Sequence, residues 1–201
     1  MGSFGLLCKL MSYLLICVAL ITLIVDIPKN CAENSSYSIS VRKYVCIDAP
    51  YKETILQSCK SIPKRNAPTM VYVSLDVPKL YDKVVLKVIM FYKFSTYQPF
   101  LISIEGNACE YVLHPPQFGV EKHVYNVIEE TLPELLTPCP AGNHTYNITW
   151  YFNKRHALKN VPAGEYKLRF KLLSHPGNTL FGMDVYISVR NTGIISSFMT
   201  Q

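Results

Sequence analysis

Hydrophobic and polar residues alternate along much of the chain beyond residue 70, and this alternation predicts the fold. Apolar side chains occupy every odd position of 71–77 and 181–189, and every even position of 84–94 and 166–172. A period of two over such lengths is typical of strands that bury one face. Turns that contain proline or glycine separate the runs. We therefore predict six to eight strands in an all-β antiparallel β-sandwich.

A glycosylation sequon sets the register of one further strand. The sequon that begins at Asn147 can carry a glycan only if this side chain faces solvent. Because side chains alternate across a strand, Thr149 and Tyr151 then point outward as well. The inward face of this strand is predicted to carry Ile148, Trp150 and Phe152.

One segment breaks the period of two. A single helical stripe carries four apolar residues of this segment, Val120, Val124, Val127 and Ile128. Glu121, Lys122, Asn126 and Glu129 fall outside this stripe, and Pro133 ends the pattern. We predict one short helix over Gly119–Glu130, packed at the edge of the sandwich.

The N-terminal residues are typical of a secretory leader. Met11–Val25 is an uncharged run of 15 residues, with Lys9 before it and Asp26 after it. A membrane-spanning helix needs roughly 20 apolar residues, whereas the core of a signal peptide needs roughly 7–15. We predict a signal peptide over residues 1–32 and a single secreted, extracellular domain over residues 33–201. An uncleaved signal-anchor is the alternative.

Cysteines and sequons support an oxidising, extracellular environment. Four cysteines follow the leader, and they allow three disulfide connectivities: Cys46, Cys59, Cys109 and Cys139. Cys31 would be removed with a leader that ends at Ala32. No cysteine pair has the close spacing of a zinc site, so we predict neither a metal nor a cofactor. Glycosylation is predicted at three asparagines, Asn34, Asn143 and Asn147.

Charge and motifs argue against nucleic-acid binding and catalysis. The net charge of +6 is mildly basic and comes without a large basic cluster. No Gly-x-Ser-x-Gly motif is present, and the adjacent Glu129 and Glu130 would not face each other on a helix. We predict no catalytic residues and no enzyme activity, with a hydrolase as the alternative. Solvated positions are predicted for all five histidines: His114, His123, His144, His156 and His175.

Four short motifs occur in a characteristic order. They read YQPFL at 97–101, ACEY at 108–111, PCP at 138–140 and VPAGEY at 161–166. This order resembles a large insect family of secreted proteins of unknown function. That family is related to the ML (lipid-recognition) domains and to chemosensory proteins of the ganglioside-activator type. The resemblance extends over Ile39–Arg190, and the chain departs from the family pattern at 107–109 and 135–138.

The resemblance implies an immunoglobulin-like sandwich that holds a hydrophobic ligand between its sheets. From the residues alone a filled core is favoured, because any sandwich needs an apolar inward face. The resemblance favours a ligand cavity instead. The first cysteine pair of the family looks like Cys46 and Cys59. With the resemblance, we expect the disulfides Cys46–Cys59 and Cys109–Cys139.

These observations lead to a hypothesis of lipid binding. The ligand, a lipid or other hydrophobic small molecule, is expected to contact Val73, Val88, Met90, Phe100, Ile102, Trp150, Phe152, Phe170 and Phe181. Lys167 and Lys171 are expected to meet an anionic headgroup at the mouth of the site. A chemosensory role and a membrane receptor as a further partner complete this hypothesis. The alternative is an extracellular protein-interaction module or co-receptor with a filled core and no ligand.

Overall fold

The computed structural model describes residues 37–158, 161–175 and 177–191. Eight strands make up most of this part of the chain: β1 (Tyr37–Cys46), β2 (Ile55–Lys64), β3 (Ala67–Tyr81), β4 (Val84–Lys93), β5 (Tyr97–Asn107), β6 (Ala141–Trp150), β7 (Gly164–Ser174) and β8 (Thr179–Asn191). Two helices lie between β5 and β6, namely α1 (Ala108–Leu113) and α2 (Gly119–Thr131). Single turns of 3-10 helix occupy Pro133–Leu135 and Lys154–His156. The predicted signal peptide and Asn34 lie outside the described residues.

The strands form two sheets. One sheet has five strands in the order β1-β8-β7-β4-β5, and the other has three in the order β2-β3-β6. Every pairing is antiparallel. Buried side chains from both sheets form one hydrophobic cluster. The predicted all-β antiparallel sandwich is therefore confirmed.

The alternation places most inward-facing residues correctly. All the odd positions of 71–77 in β3 and of 183–189 in β8 are buried. Burying one such side chain contributes about 1.5–3 kcal/mol. The prediction is wrong for Phe94, which is 62% exposed. Strand β4 ends at Lys93, so Phe94 lies in the following bend rather than on the inward face.

The outer face of the five-stranded sheet carries cations packed among aromatic rings. Nζ of Lys167 lies 4.4 Å from the ring centre of Phe91 and 5.0 Å from that of Tyr97. Nζ of Lys171 lies 2.6 Å from a carboxylate oxygen of Asp48. Both lysines point away from the interior of the sandwich and already have partners. The expectation that they meet a ligand headgroup is therefore wrong.

The helices lie in the connection between the two sheets. Helix α2 confirms the helix predicted over Gly119–Glu130. Helix α1, which follows β5 directly, was not predicted from the sequence. The Asn107 side chain caps α1 by accepting a hydrogen bond from the backbone nitrogen of Cys109 at 3.1 Å. Asparagine is a strong N-cap, but six residues are too few to show a helical period.

Both expected cysteine pairs form disulfides. Cys46 ends β1 in the five-stranded sheet and bonds to Cys59 of β2 in the three-stranded sheet. This bond joins one sheet of the sandwich to the other. Cys109 of α1 bonds to Cys139, just before β6. The second disulfide therefore links the two ends of the segment that carries α2.

Candidate functional site

A cavity of about 370 Å³ lies between the two sheets. The three-stranded sheet contributes inward residues such as Val73 and Ile148, and the five-stranded sheet contributes residues such as Val88 and Phe170. Side chains of α1 and α2 complete the wall. The wall is almost entirely aliphatic and aromatic, which suits an apolar ligand. The volume falls near the lower end of the range of about 300–1,000 Å³ that is typical of small-molecule sites.

Eight of the nine residues expected to contact a ligand line this cavity: Val73, Val88, Met90, Ile102, Trp150, Phe152, Phe170 and Phe181. Phe100 is not among the lining residues. It packs between Tyr92 and Tyr166, with ring centres 5.4 and 6.3 Å away. The register of β5 is irregular at this point, where Leu101 has a φ of 60°. A strict alternation therefore does not hold at Phe100.

Helix α2 forms part of the cavity wall. Its apolar stripe lines the cavity through Val124, Val127 and Ile128. None of its 13 residues is fully buried. An amphipathic helix normally buries such a stripe against other side chains. Here Val120 and Val124 pack against the core cluster, but the rest of the stripe borders the space between the sheets, so the chain itself packs it only in part. This stripe is visible in the sequence, but its place in the cavity wall was not predicted.

A chain of hydrogen bonds ties the end of α2 to β6. The indole Nε1 of Trp150 donates to the Thr131 hydroxyl at 3.0 Å. That hydroxyl donates in turn to the backbone oxygen of Val127 at 2.6 Å. Trp150 thus contributes apolar surface to the cavity and satisfies its one polar group at the helix end.

A second attachment of α2 involves a buried histidine. His156 is only 8% exposed, so the expectation of a solvated side chain is wrong for this residue. Its Nε2 lies 2.9 Å from a carboxylate oxygen of Glu130, which also pairs with Arg155. The backbone oxygen of His156 lies 2.8 Å from Nε2 of His123. The turn at Lys154–His156 is therefore held against α2 from two positions on the helix.

The surroundings of His156 disfavour its charged form. Burial lowers the pKa of His156 below its ordinary value, and the nearby Arg155 and His123 lower it further. Proximity in the fold creates this cluster, because Glu130 and His156 are 26 residues apart. An isolated histidine in a polar stretch carries no sequence signal for such burial.

We expect the free energy of unfolding to fall as the pH is lowered from about 7 towards 5. The pKa of His156 is below its ordinary value of 6.5 in the folded protein, so the unfolded chain binds a proton here first. The loss of stability begins as the pH falls to about the ordinary pKa of histidine. It is complete once His156 is protonated in the folded state as well. Urea titrations across this range measure the slope. The slope should flatten in His156→Phe and persist in the exposed control His175→Phe; an unchanged slope in His156→Phe would contradict the assignment.

The two predicted glycosylation sites within the described residues lie on the surface. Asn143 and Asn147 are both exposed on β6. The side-chain oxygen of Asn147 accepts hydrogen bonds from the Ser74 hydroxyl at 2.8 Å and from the Tyr72 hydroxyl at 3.3 Å. These bonds use the amide oxygen and not the nitrogen to which a glycan would be attached. Asn147 thus faces outward while Ile148 and Trp150 line the cavity.

Two further features concern only the described residues. Among them, no group of three or more His, Cys, Asp or Glu side chains is arranged to hold a metal ion. Over the same ranges, no helix combines the length and apolar character needed to cross a bilayer.

Fold and cavity together define a two-sheet β-sandwich with an apolar interior site. A family model described as "Protein of unknown function (DUF1091)" matches residues 86–168, which extend from β4 to β7. No curated protein matches the chain. The resemblance noted in the sequence is thus supported as similarity to a family of unknown function.

The solved structures that are similar to this chain include the following two. Chicken MD-1, complexed with lipid IVa, is 12% identical over 77% of this chain and 98% of that chain, with a TM-score of 0.35. A Niemann-Pick type C2 protein from Japanese carpenter ant is 14% identical over 68% of this chain and 88% of that chain, with a TM-score of 0.31. The fold assignment rests on the two sheets of this chain itself.

Proposed function

We propose that the protein is a secreted binding protein that holds a lipid or other hydrophobic small molecule between its two sheets. The observation that carries this proposal is the apolar stripe of α2, which packs against the core through Val120 and Val124 but leaves Val127 and Ile128 bordering a cavity. A bound hydrocarbon would supply the missing contacts. Removing apolar surface from water contributes about 25 cal/mol per Å², which makes burial itself the source of affinity.

The cavity favours ligand binding over the alternative of a filled interaction module. Protein interiors are normally packed to the density of organic crystals and contain few voids larger than a water molecule. A space of about 370 Å³ lined by Val73, Val88 and Phe170 departs strongly from that norm. An apolar occupant is the simplest way to complete such an interior.

Secretion is part of the proposal. The N-terminal apolar run, the two disulfides and the exposed sequons on β6 support it. A chemosensory role rests on the motif resemblance alone. Detection of the protein in the fluid around sensory neurons would support that role, whereas expression confined to non-sensory tissue would contradict it.

Filling the cavity from the helix side tests the proposal. We expect Val124→Trp to weaken binding of the apolar fluorescent probe N-phenyl-1-naphthylamine at least about tenfold, because the indole would occupy ligand space. Val124 is only partly buried, so the added bulk should leave the melting temperature nearly unchanged. Fluorescence titration measures the affinity.

The matched control is Asn126→Trp, which adds the same side chain to an exposed position of the same helix. This variant should bind the probe as the unmodified protein does. Equal affinities of the two variants would show that the cavity is not the binding site. Native mass spectrometry that finds the secreted protein empty, together with no probe binding, would contradict the proposed function itself.

A further inference from the structure

Charged side chains are distributed unevenly between the two ends of the sandwich. One end holds the start of β1, the end of β8 and the turns that follow β2 and β4. The Thr69 hydroxyl near the start of β3 donates to the backbone oxygen of Val41 in β1 at 3.0 Å, so both sheets share this end. We call it the basic end, because its exposed cations form no ion pair with another described residue: Lys64, Arg65, Lys93, Lys154 and Arg190.

Acidic residues are scarce at the basic end. Glu165 pairs with Arg42 at 3.1 Å, and Glu130 pairs with Arg155, so both of these carboxylates already have cationic partners. No Asp or Glu occurs in the segments that otherwise reach this end, residues 57–75, 88–104 and 144–164. The excess of positive charge attracts anions to this part of the surface.

The opposite end carries both signs of charge. Asp82 and Lys83 are neighbours in the turn between β3 and β4, and both are exposed. Lys87 of β4 pairs with Glu105 of β5 at 2.7 Å. Cations at this end are therefore offset by nearby acids.

Exposed apolar side chains accompany the cations of the basic end. Phe94, next to Lys93 in the turn after β4, is 62% exposed, and Leu101 of β5 is 66% exposed. Ile62, just before the turn after β2, is 39% exposed. Cations beside exposed aromatic and aliphatic groups are typical of surfaces that enter the interface of a bilayer. An anionic polysaccharide would pair with the cations but leave Phe94 and Leu101 in water.

Aromatic packing connects the basic end to the cavity. The ring centre of Phe94 lies 4.8 Å from that of Tyr92, which in turn lies 5.1 Å from that of Tyr166. Tyr166 and Val161 both line the cavity. A run of ring contacts therefore extends from an exposed side chain to the cavity wall.

We propose that the basic end docks on the surface of an anionic lipid bilayer. Lys64, Arg65 and Lys93 face the headgroups, and Phe94 and Leu101 enter the interface. The cations supply attraction over a distance, and burial of the apolar side chains holds the docked protein. Docking brings the cavity next to the bilayer and requires no particular ligand in it.

Cosedimentation of the full chain with vesicles tests the proposal. Vesicles of phosphatidylcholine with about 30% phosphatidylserine should bind the protein at least about tenfold more tightly than vesicles of phosphatidylcholine alone. Raising the salt to about 0.5 M NaCl should weaken binding to the anionic vesicles at least about fivefold, because salt screens the attraction. Equal binding to both kinds of vesicle, or binding to neither, would overturn the proposal.

Charge reversal locates the docking surface. The double variant Lys64→Glu, Arg65→Glu should bind the anionic vesicles at least about tenfold more weakly. The matched control is Lys79→Glu, Lys83→Glu, which makes the same change of charge at exposed positions of the opposite end. This control should bind within about twofold of the unmodified protein. Equal losses in the two double variants would show that net charge, and not the basic end, governs binding.

Apolar variants distinguish a bilayer from a purely anionic partner. Leu101→Ser and Phe94→Ser should each weaken vesicle binding at least about fivefold, because they remove apolar surface from the interface. The control Leu80→Ser alters a leucine that is 58% exposed at the opposite end, and it should bind as the unmodified protein does. Unchanged vesicle binding in both Leu101→Ser and Phe94→Ser, with tight binding to heparin, would favour a polysaccharide and overturn the bilayer.

Binding of N-phenyl-1-naphthylamine separates this surface from the ligand site. A protein that binds the probe but no vesicle would overturn the docking surface and leave the proposed function standing. A protein that binds anionic vesicles but no probe would support the docking surface and contradict the proposed function.

Discussion

Replacement of Asp184 by alanine should lower the free energy of unfolding by about 3–5 kcal/mol, the cost of stranding a buried charge. The Asp184 side chain is only 3% exposed on the outer face of the five-stranded sheet. Its two carboxylate oxygens accept hydrogen bonds from Nε and a terminal nitrogen of Arg169 at 2.7 and 2.8 Å. Nζ of Lys167 lies 3.9 Å away and is itself mostly covered. Removing the carboxylate leaves both cations without their anion.

The matched control is Glu105→Ala on the same sheet. Its carboxylate lies 2.7 Å from Nζ of Lys87, as close as the Asp184 contact, but the side chain is 58% exposed. Exposed ion pairs of this kind contribute about 0–1 kcal/mol. Urea denaturation at neutral pH measures both losses. Similar losses for Asp184→Ala and Glu105→Ala would show that burial does not govern the strength of these pairs.

Removal of the disulfide between the sheets is expected to weaken both the fold and the binding site. The double variant Cys46→Ser, Cys59→Ser should lose about 3 kcal/mol, the chain-entropy contribution of a loop of roughly 14 residues. The bond joins β1 in one sheet to β2 in the other, and the cavity lies between these sheets. We therefore expect affinity for the apolar probe to fall as well, because the two walls lose a covalent connection.

The second disulfide provides the comparison. Loss of the Cys109–Cys139 bond should cost about 3.5 kcal/mol by the same estimate, since its loop of roughly 31 residues is longer. This bond holds the helical segment and does not join β1 to β2. Urea denaturation and probe titration of both double variants give the two effects separately. A loss of less than about 1 kcal/mol in both would show that neither bond constrains the unfolded chain as expected.

The alternation of side chains was sufficient to predict the sandwich and most of its inward residues. A strand presents successive side chains to opposite faces, so a period of two identifies the buried face without knowledge of any partner strand. This holds for Val73 in β3 and Val88 in β4, both of which line the cavity. The helical stripe at Val124 could also be recognised from spacing alone, because its apolar residues recur at the helical period. Prediction failed at Phe94 and Phe100, where a strand ends or its register shifts.

The partners of the charged and titratable side chains were harder to predict. Lys167 and Lys171 looked like free cations, yet each packs against aromatic or acidic groups distant in sequence. His156 looked solvated, yet it is buried against Glu130 of a helix that precedes it by many residues. Such contacts depend on the pairing of β7 with β4 and with β8, and on the placement of α2. No local pattern records these arrangements.

The sequence by itself determined β3, β4, β6, β7 and β8 with most of their buried faces, the longer of the two helices and the supply of cysteines. Each of these follows from local spacing and residue type. Only the tertiary structure decided that the sheets contain five and three strands, that Cys46–Cys59 joins them, and that a cavity lies between them. A cavity is the difference between the space that two sheets enclose and the volume of the side chains that point into it. That difference depends on the separation of the sheets, which the order of residues along a strand does not encode.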